Sequence, residues 1–159
     1  MPLALFILLC ACAAKQPVYK TYNNARFNYS ISYPPDELIP QGEPEDGDGQ
    51  RFLSKDGRVI VWVYGSYDAL NQTLRDIQQS EIERFKGLEG SFKTLKAQVD
   101  STSSILEGDS DTNVYYEKVI FSRNTIFTFI AQYPKDEAPT FEPIISRMAA
   151  SFIVFPKAQ

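Results

Sequence analysis

The sequence predicts an α+β domain: an antiparallel sheet of about six strands flanked by two main helices. Three observations carry this. Apolar and polar residues alternate with period two over several segments joined by short turns, which implies antiparallel neighbours. Two segments, around Leu70 to Phe85 and Phe141 to Phe152, place apolar residues at helical spacing. The run Val59-Ile60-Val61-Trp62-Val63-Tyr64 is apolar on both faces, so it belongs inside the sheet with cover on each side.

The domain starts near Ala25. Phe27, Tyr29, Ile31 and Tyr33 alternate with Asn28, Ser30 and Ser32, a strand that Pro34-Pro35 stops. Residues 36–50 read as a long loop with an acidic, glycine-rich tip. Arg51 to Ser54 is a short strand, and Asp56-Gly57 supplies a two-residue hairpin turn in which both positions take positive φ. The two-faced strand follows. A helix then runs from an N-cap at Asp68 to a stop at Gly87, with Leu70, Leu74, Ile77 and Phe85 on one stripe and Ile82 at its edge. Phe92 to Val99 and Ser103 to Glu107 are strands, and Gly108-Asp109-Ser110-Asp111 is a turn. Asn113 to Ser122 and Thr125 to Tyr133 are long strands joined by a tight turn at Arg123-Asn124. The last helix runs from about Thr140 to Phe152, with Thr140 as its cap and Pro143 in its first turn. Residues 25–155 thus form a single domain, and 156–159 a short tail.

Ahead of the domain lies an apolar run, Pro2 to Leu9, ending Leu9-Cys10-Ala11-Cys12. This ending resembles a bacterial lipobox. Leu9 lies three residues before the acceptor, small Ala11 directly before it, and Cys12 is the residue to be lipidated. Cys10 is the poorer acceptor, because Leu9 would then fill the small-residue slot. Two departures stand beside the match: no Lys or Arg precedes Cys12, and the segment is short. The run reaches only to Ala14, short of the roughly 20 residues that span a bilayer. Residues 1–11 are therefore read as a signal peptide and 12–24 as a lipidated tether. Ala13, not Asp, follows the cysteine, which points to the outer membrane in a two-membrane cell.

Composition narrows the chemistry. Both cysteines lie in the signal region, and the chain has no histidine. Ser-His and Cys-His nucleophiles, histidine-ligated zinc and histidine acid–base catalysis are excluded. The net charge of -4 argues against a nucleic-acid partner, since phosphate binding needs a basic face. No cofactor is expected.

The segments Ile31-Ser32-Tyr33-Pro34, Gly47-Asp48-Gly49-Gln50-Arg51-Phe52 with Ser54-Lys55-Asp56-Gly57, Val61-Trp62-Val63-Tyr64-Gly65, Tyr115-Tyr116-Glu117-Lys118 and the closing helix into Ser151-Phe152 together resemble Mog1/PsbP-like domains. The likeness is to a branch found on small bacterial lipoproteins and covers about residues 25 to 155. It implies an antiparallel sheet flanked by helices in an α/β/α sandwich. It brings no catalytic residue, and it implies a role in binding other proteins or supporting assembly.

The candidate site is a tyrosine-rimmed groove of Tyr33, Trp62, Tyr64, Tyr115 and Tyr116, with Tyr133 nearby. Glu117, beside Lys118, reads as half of an exposed cross-strand ion pair. The acidic tip Glu43, Glu45, Asp46 and Asp48 lacks EF-hand phasing and reads as a solvated loop. The expected function is a lipid-anchored, non-enzymatic binding or assembly module of the bacterial envelope. It would contact the membrane through the lipid on Cys12 and an envelope protein through the groove. The alternatives are a carboxylate-pair hydrolase acting on envelope polysaccharide, or a Ca²⁺-responsive protein using the acidic tip.

Overall fold

The computed structural model describes residues 17–156. Cys12, the signal segment and the last three residues lie outside the described residues. Seven strands form the main sheet in the order β3-β4-β5-β9-β8-β7-β6, and every neighbouring pair is antiparallel. In chain order these are β3 (Ile39–Pro40), β4 (Gly49–Leu53), β5 (Ile60–Tyr67), β6 (Lys93–Val99), β7 (Ser103–Asp109), β8 (Asn113–Ser122) and β9 (Thr125–Pro134). A second sheet has the order β1-β2-β10, from β1 (Lys20–Asn24), β2 (Tyr29–Tyr33) and β10 (Ile153–Val154). Helix α1 spans Leu74–Leu88, and helix α2 spans Ala138–Ser151 behind a 3₁₀ turn at Lys135–Glu137.

Cross-strand pairs assign the two faces of the main sheet, because residues directly opposite in an antiparallel ladder share a face. The row Phe52, Val61, Ala131, Tyr116 and Glu107 lies on one face. That face packs on α2 and the small sheet, through Tyr29 and Ile31 of β2 and Phe141, Ile144, Ile145 and Met148 of α2. All six residues are buried, as the helical stripe and the strand alternation require. The row Arg51, Trp62, Ile130, Glu117 and Leu106 lies on the opposite face. Helix α1 covers only part of that face. Phe85 packs with Leu106 and Tyr115, and Leu74 with Val119 and Ile126. The Gln78 amide, buried itself, donates to the Gln98 and Ile105 carbonyls at 3.2 and 3.0 Å and ties α1 over β6 and β7. The second face of β4, β5 and β9 is therefore left open beyond the edge of α1.

Several elements differ from expectation. Lys20–Asn24, read as tether, is strand β1, because it pairs along its length with β2 from Lys20↔Tyr33 to Asn24↔Tyr29. The cap of α1 is Thr73. Its hydroxyl accepts from Asp76 N at 3.2 Å while the Asp76 carboxylate accepts from Thr73 N at 2.9 Å, a reciprocal capping box. Asp68 instead holds the preceding loop, accepting from Leu70 N and Gln72 N, and Leu70 is exposed. In the β4–β5 connection only Gly57 has positive φ. Asp56 takes a bond from the Ser54 hydroxyl at 2.6 Å and pairs with Arg58, which widens the connection to residues 54–59. Pro139 occupies the first turn of α2, Pro143 lies inside the helix, and Glu137 stands at the N-cap position in place of Thr140.

The Arg123-Asn124 turn is as expected, with φ of 49° and 63° at its two positions. Both belong to a turn that favours Asn-Gly, and arginine carries a steric cost there. Replacing the pair by Asn-Gly (Arg123→Asn with Asn124→Gly) is expected to raise stability by about 1 kcal/mol, read as a higher urea midpoint at unchanged slope. An unchanged midpoint would contradict the strain assigned to Arg123.

Candidate functional site

The open part of the second face forms a cleft of about 780 Å³, within the range of about 300–1,000 Å³ usual for ligand sites. Its floor is the β5 pair Trp62 and Tyr64, which share a face at i, i+2, with Ile130 of β9 beside them. The loop from Gln41 to Pro44 and the start of β4 make one wall, and Glu81 and Arg84 of α1 make the other. Gly49 lies in this wall and packs so closely on Tyr64 that a side chain there would collide with the β5 backbone. A smaller cavity of about 180 Å³ lies on the far side of Trp62 and shares Arg51, Trp62, Arg84 and Ile130 with the cleft.

Trp62 is 43% exposed although it stands in the interior of a sheet. The two-faced hydrophobicity of β5 predicted cover on both sides, but α1 reaches β6 and β7 and leaves β5 partly bare. The Arg51 guanidinium stacks over the Trp62 ring at 5.5 Å. Arg84 grips Glu81 through Nε at 2.9 Å to both carboxylate oxygens and through Nη2, while lying over Phe85 at 4.5 Å. Burial raises the Tyr64 phenol, an effect the Thr128 hydroxyl offsets in part.

Glu117 is not an exposed ion-pair partner. It is 3% exposed, its cross-strand neighbours are Ile130 and Leu106, and its Oε2 has no hydrogen-bond partner. Lys118 points to the other face and donates to the Ala149 carbonyl at 2.8 Å. Burial pushes the Glu117 carboxyl up to about 8; the Glu81 carboxylate adds to the shift and Arg84 opposes it. The period-two alternation that places Lys118 on one face necessarily places Glu117 on the other, under α1.

Of the expected groove, only Trp62 and Tyr64 come together. Tyr33 and Tyr116 lie on the opposite face, packed on Phe52 at 4.7 Å and Phe129 at 5.9 Å. Tyr115 shares the face of Trp62 but is covered by Phe85 at 4.6 Å and Phe92, with its hydroxyl bonded to Glu89 at 2.8 Å. Sequence reading missed Arg51, Glu81 and Arg84. Arg51 was legible as the cross-strand partner of Trp62 once the hairpin register was set.

The acidic tip does not converge on a point. Glu43 takes the Tyr22 hydroxyl at 2.5 Å, the Asp46 carbonyl binds Arg26, and the Asp48 carbonyl takes Gly65 N at 3.0 Å. Among the described residues no group of three His, Cys, Asp or Glu side chains is placed to hold a metal ion. The carboxylates that line the cleft are Glu43, Asp48 and Glu81. Glu81 is gripped by Arg84, and Glu117 lies one strand beyond Ile130, outside the cleft lining. A substrate in the cleft would not reach a proton on Glu117.

The architecture is a PsbP-like fold of the α+β class. The chain is similar to the solution structure of cyanobacterial PsbP (CyanoP) from Synechocystis sp. PCC 6803, with TM-score 0.64 and 19% identity over 92% of this chain and 99% of that one. It is also similar to a protein of unknown function from Pseudomonas aeruginosa, with TM-score 0.54 and 9% identity over 87% of this chain and 99% of that one. No protein-family profile matches the chain, and no curated protein does.

Proposed function

We propose that this protein is a non-enzymatic binding or assembly module that a lipid on Cys12 holds at the bacterial envelope, and that it engages a partner through the Trp62 cleft. The observation that carries the reading is Trp62 itself, a large aromatic side chain left 43% exposed on the floor of a concave site. Tryptophan and arginine are the residues that dominate binding energy when a partner desolvates them, and Trp62 is flanked by Arg51 and Arg84. The fold shared with cyanobacterial PsbP is compatible with such a role. Lipobox spacing at Cys12 supports the anchor, and since one acyl chain holds only marginally, stable attachment calls for two or more.

Two substitutions separate the parts of this reading. Cys12→Ala is expected to abolish incorporation of a labelled fatty acid and to move the protein from the membrane to the soluble fraction. Unchanged labelling and fractionation would remove the anchor. Trp62→Ala is expected to abolish retention of a membrane partner on the immobilised protein while leaving lipidation and the cooperative unfolding of the domain in place. Full retention would remove the cleft from the account.

A further inference from the structure

Trp62 lines two adjoining cavities that share Arg51 and Arg84 and differ in their acidic residues. The smaller one is lined by Arg51 and Arg84 and by no carboxylate. Among the described residues Arg51 takes part in no ion pair and has only the Trp62 ring as its neighbour of note. Arg84 commits Nε and Nη2 to Glu81 and keeps further N–H donors. Two guanidinium groups around one apolar recess make a receptor for a carboxylate, which arginine holds through paired N–H donors. The large cavity is lined by the same two arginines and also by Glu43, Asp48 and Glu81, the last held by Arg84. Glu43 and Asp48 line its outer end, with Asp46 close enough to Asp48, itself partly desolvated, to raise its carboxyl further. Arg26, turned to the Asp46 carbonyl, offsets these three acids in part.

Resting on the reading of this cleft as a partner-binding site, we infer that its occupant is a polypeptide segment of dipolar charge pattern. A carboxylate, from a side chain or a chain terminus, sits between Arg51 and Arg84. An apolar side chain covers Trp62 and Ile130. A basic residue one or more positions away faces Glu43 and Asp48. The charge order is what selects a peptide. A small anion would use only the arginine end, and a neutral ligand would leave Arg51 and the acidic end without partners. Stacking on Trp62 supplies apolar contact at the centre of the site, with charges around it, the usual arrangement of a binding hot spot.

Trp62 is the single tryptophan of the chain, so its fluorescence reports occupancy directly. The experiment titrates the full-length chain in detergent with three eight-residue peptides that share a Leu-Phe centre. One carries lysines at one end and glutamates at the other, one is acidic at both ends, and one is basic at both ends. A neutral tetrasaccharide forms a fourth arm. The dipolar peptide is expected to shift Trp62 emission saturably and to bind at least tenfold more tightly than the other two. Arg51→Gln, a change at an exposed side chain, is expected to weaken it at least tenfold with an unchanged thermal midpoint. Equal affinities for the three peptides, or undiminished binding by Arg51→Gln, would overturn the inference. A response to the tetrasaccharide alone would overturn the peptide occupant and leave the binding-module reading standing. Silence in all four arms would overturn the inference, and full partner retention by Trp62→Ala would remove the binding-site reading as well.

Discussion

Glu117→Gln is expected to make the protein more stable at alkaline pH, by roughly 3–5 kcal/mol at pH 9, with a difference within about 1 kcal/mol at pH 5. The reason is the burial of an ionisable group without a partner. Glu117 lies among Ile130, Leu106 and the underside of α1, and its Oε2 makes no hydrogen bond. Glu81 and Arg84 of α1 are the charges that act on it. Its carboxyl is raised from the usual carboxylate range to about 8, burial being the first cause. Below the unfolded value near 4.5, folded and unfolded chains both carry the proton and pH has no leverage. Between that value and about 8 the folded chain keeps the proton that the unfolded chain has lost, so stability falls as pH rises. Above about 8 the folded chain must hold a buried carboxylate, and the full cost is present. Glutamine has no proton to lose, so the variant's urea-derived stability should change less between pH 5 and 9 than that of the parent. Parallel pH curves for the two proteins would show that Glu117 is ionised or solvated throughout.

Gly65→Ala is expected to destabilise the fold by about 2–3 kcal/mol, a large effect for one methyl group. Gly65 pairs with Phe127 in the core-facing row of β5 and β9, where Phe27 packs closely on it. An added Cβ would stand 2.5 Å from Phe27 Cγ and 2.8 Å from its Cβ. Phe27 is buried and lies 5.3 Å from the Tyr67 ring, so it has little room to retreat. Gly65 N also donates to the Asp48 carbonyl at 3.0 Å, which holds the strand and the acidic loop together. Phe27→Ala alone opens a cavity and costs about 3–5 kcal/mol. In the double variant the contacts with Cγ and the ring are gone and only the one with the Cβ of residue 27 remains, so the loss should fall short of the sum by at least about 1 kcal/mol. Strict additivity would show that ring and glycine do not meet.

The sequence disclosed most of the fold because its strongest signals are local. The alternation of β8 and β9, the Arg123-Asn124 turn and the stripe Phe141, Ile144, Ile145, Met148 each declare an element within a dozen residues. What it hid depends on partners distant in the chain. Lys20 to Asn24 has no alternation of its own and is a strand because β2 offers it an edge. Thr73 and Asp76 form a capping box that the sequence does contain, but Asp68 and Leu70 offered a competing start. Of the site, Trp62 and Tyr64 were legible from their spacing. Tyr33, Tyr115 and Tyr116 were not separable from them, since a tyrosine's burial follows from which helix covers its strand. Arg84 and Glu81 reach the cleft only through the packing angle of α1. Glu117 was misread because a charged residue beside Lys118 suggests a surface pair, whereas the alternation sends the two to opposite faces.

The bare sheet face around Trp62 is the proposed meeting point of this protein with its partner. A photoreactive phenylalanine analogue placed at position 62 and irradiated in intact cells tests this most directly. Leu95, 66% exposed on edge strand β6, serves as the control position. The account predicts one discrete adduct from position 62, absent from position 95 and lost when Arg51→Gln is added. Equal adducts from both positions, or an adduct from position 95 alone, would contradict it.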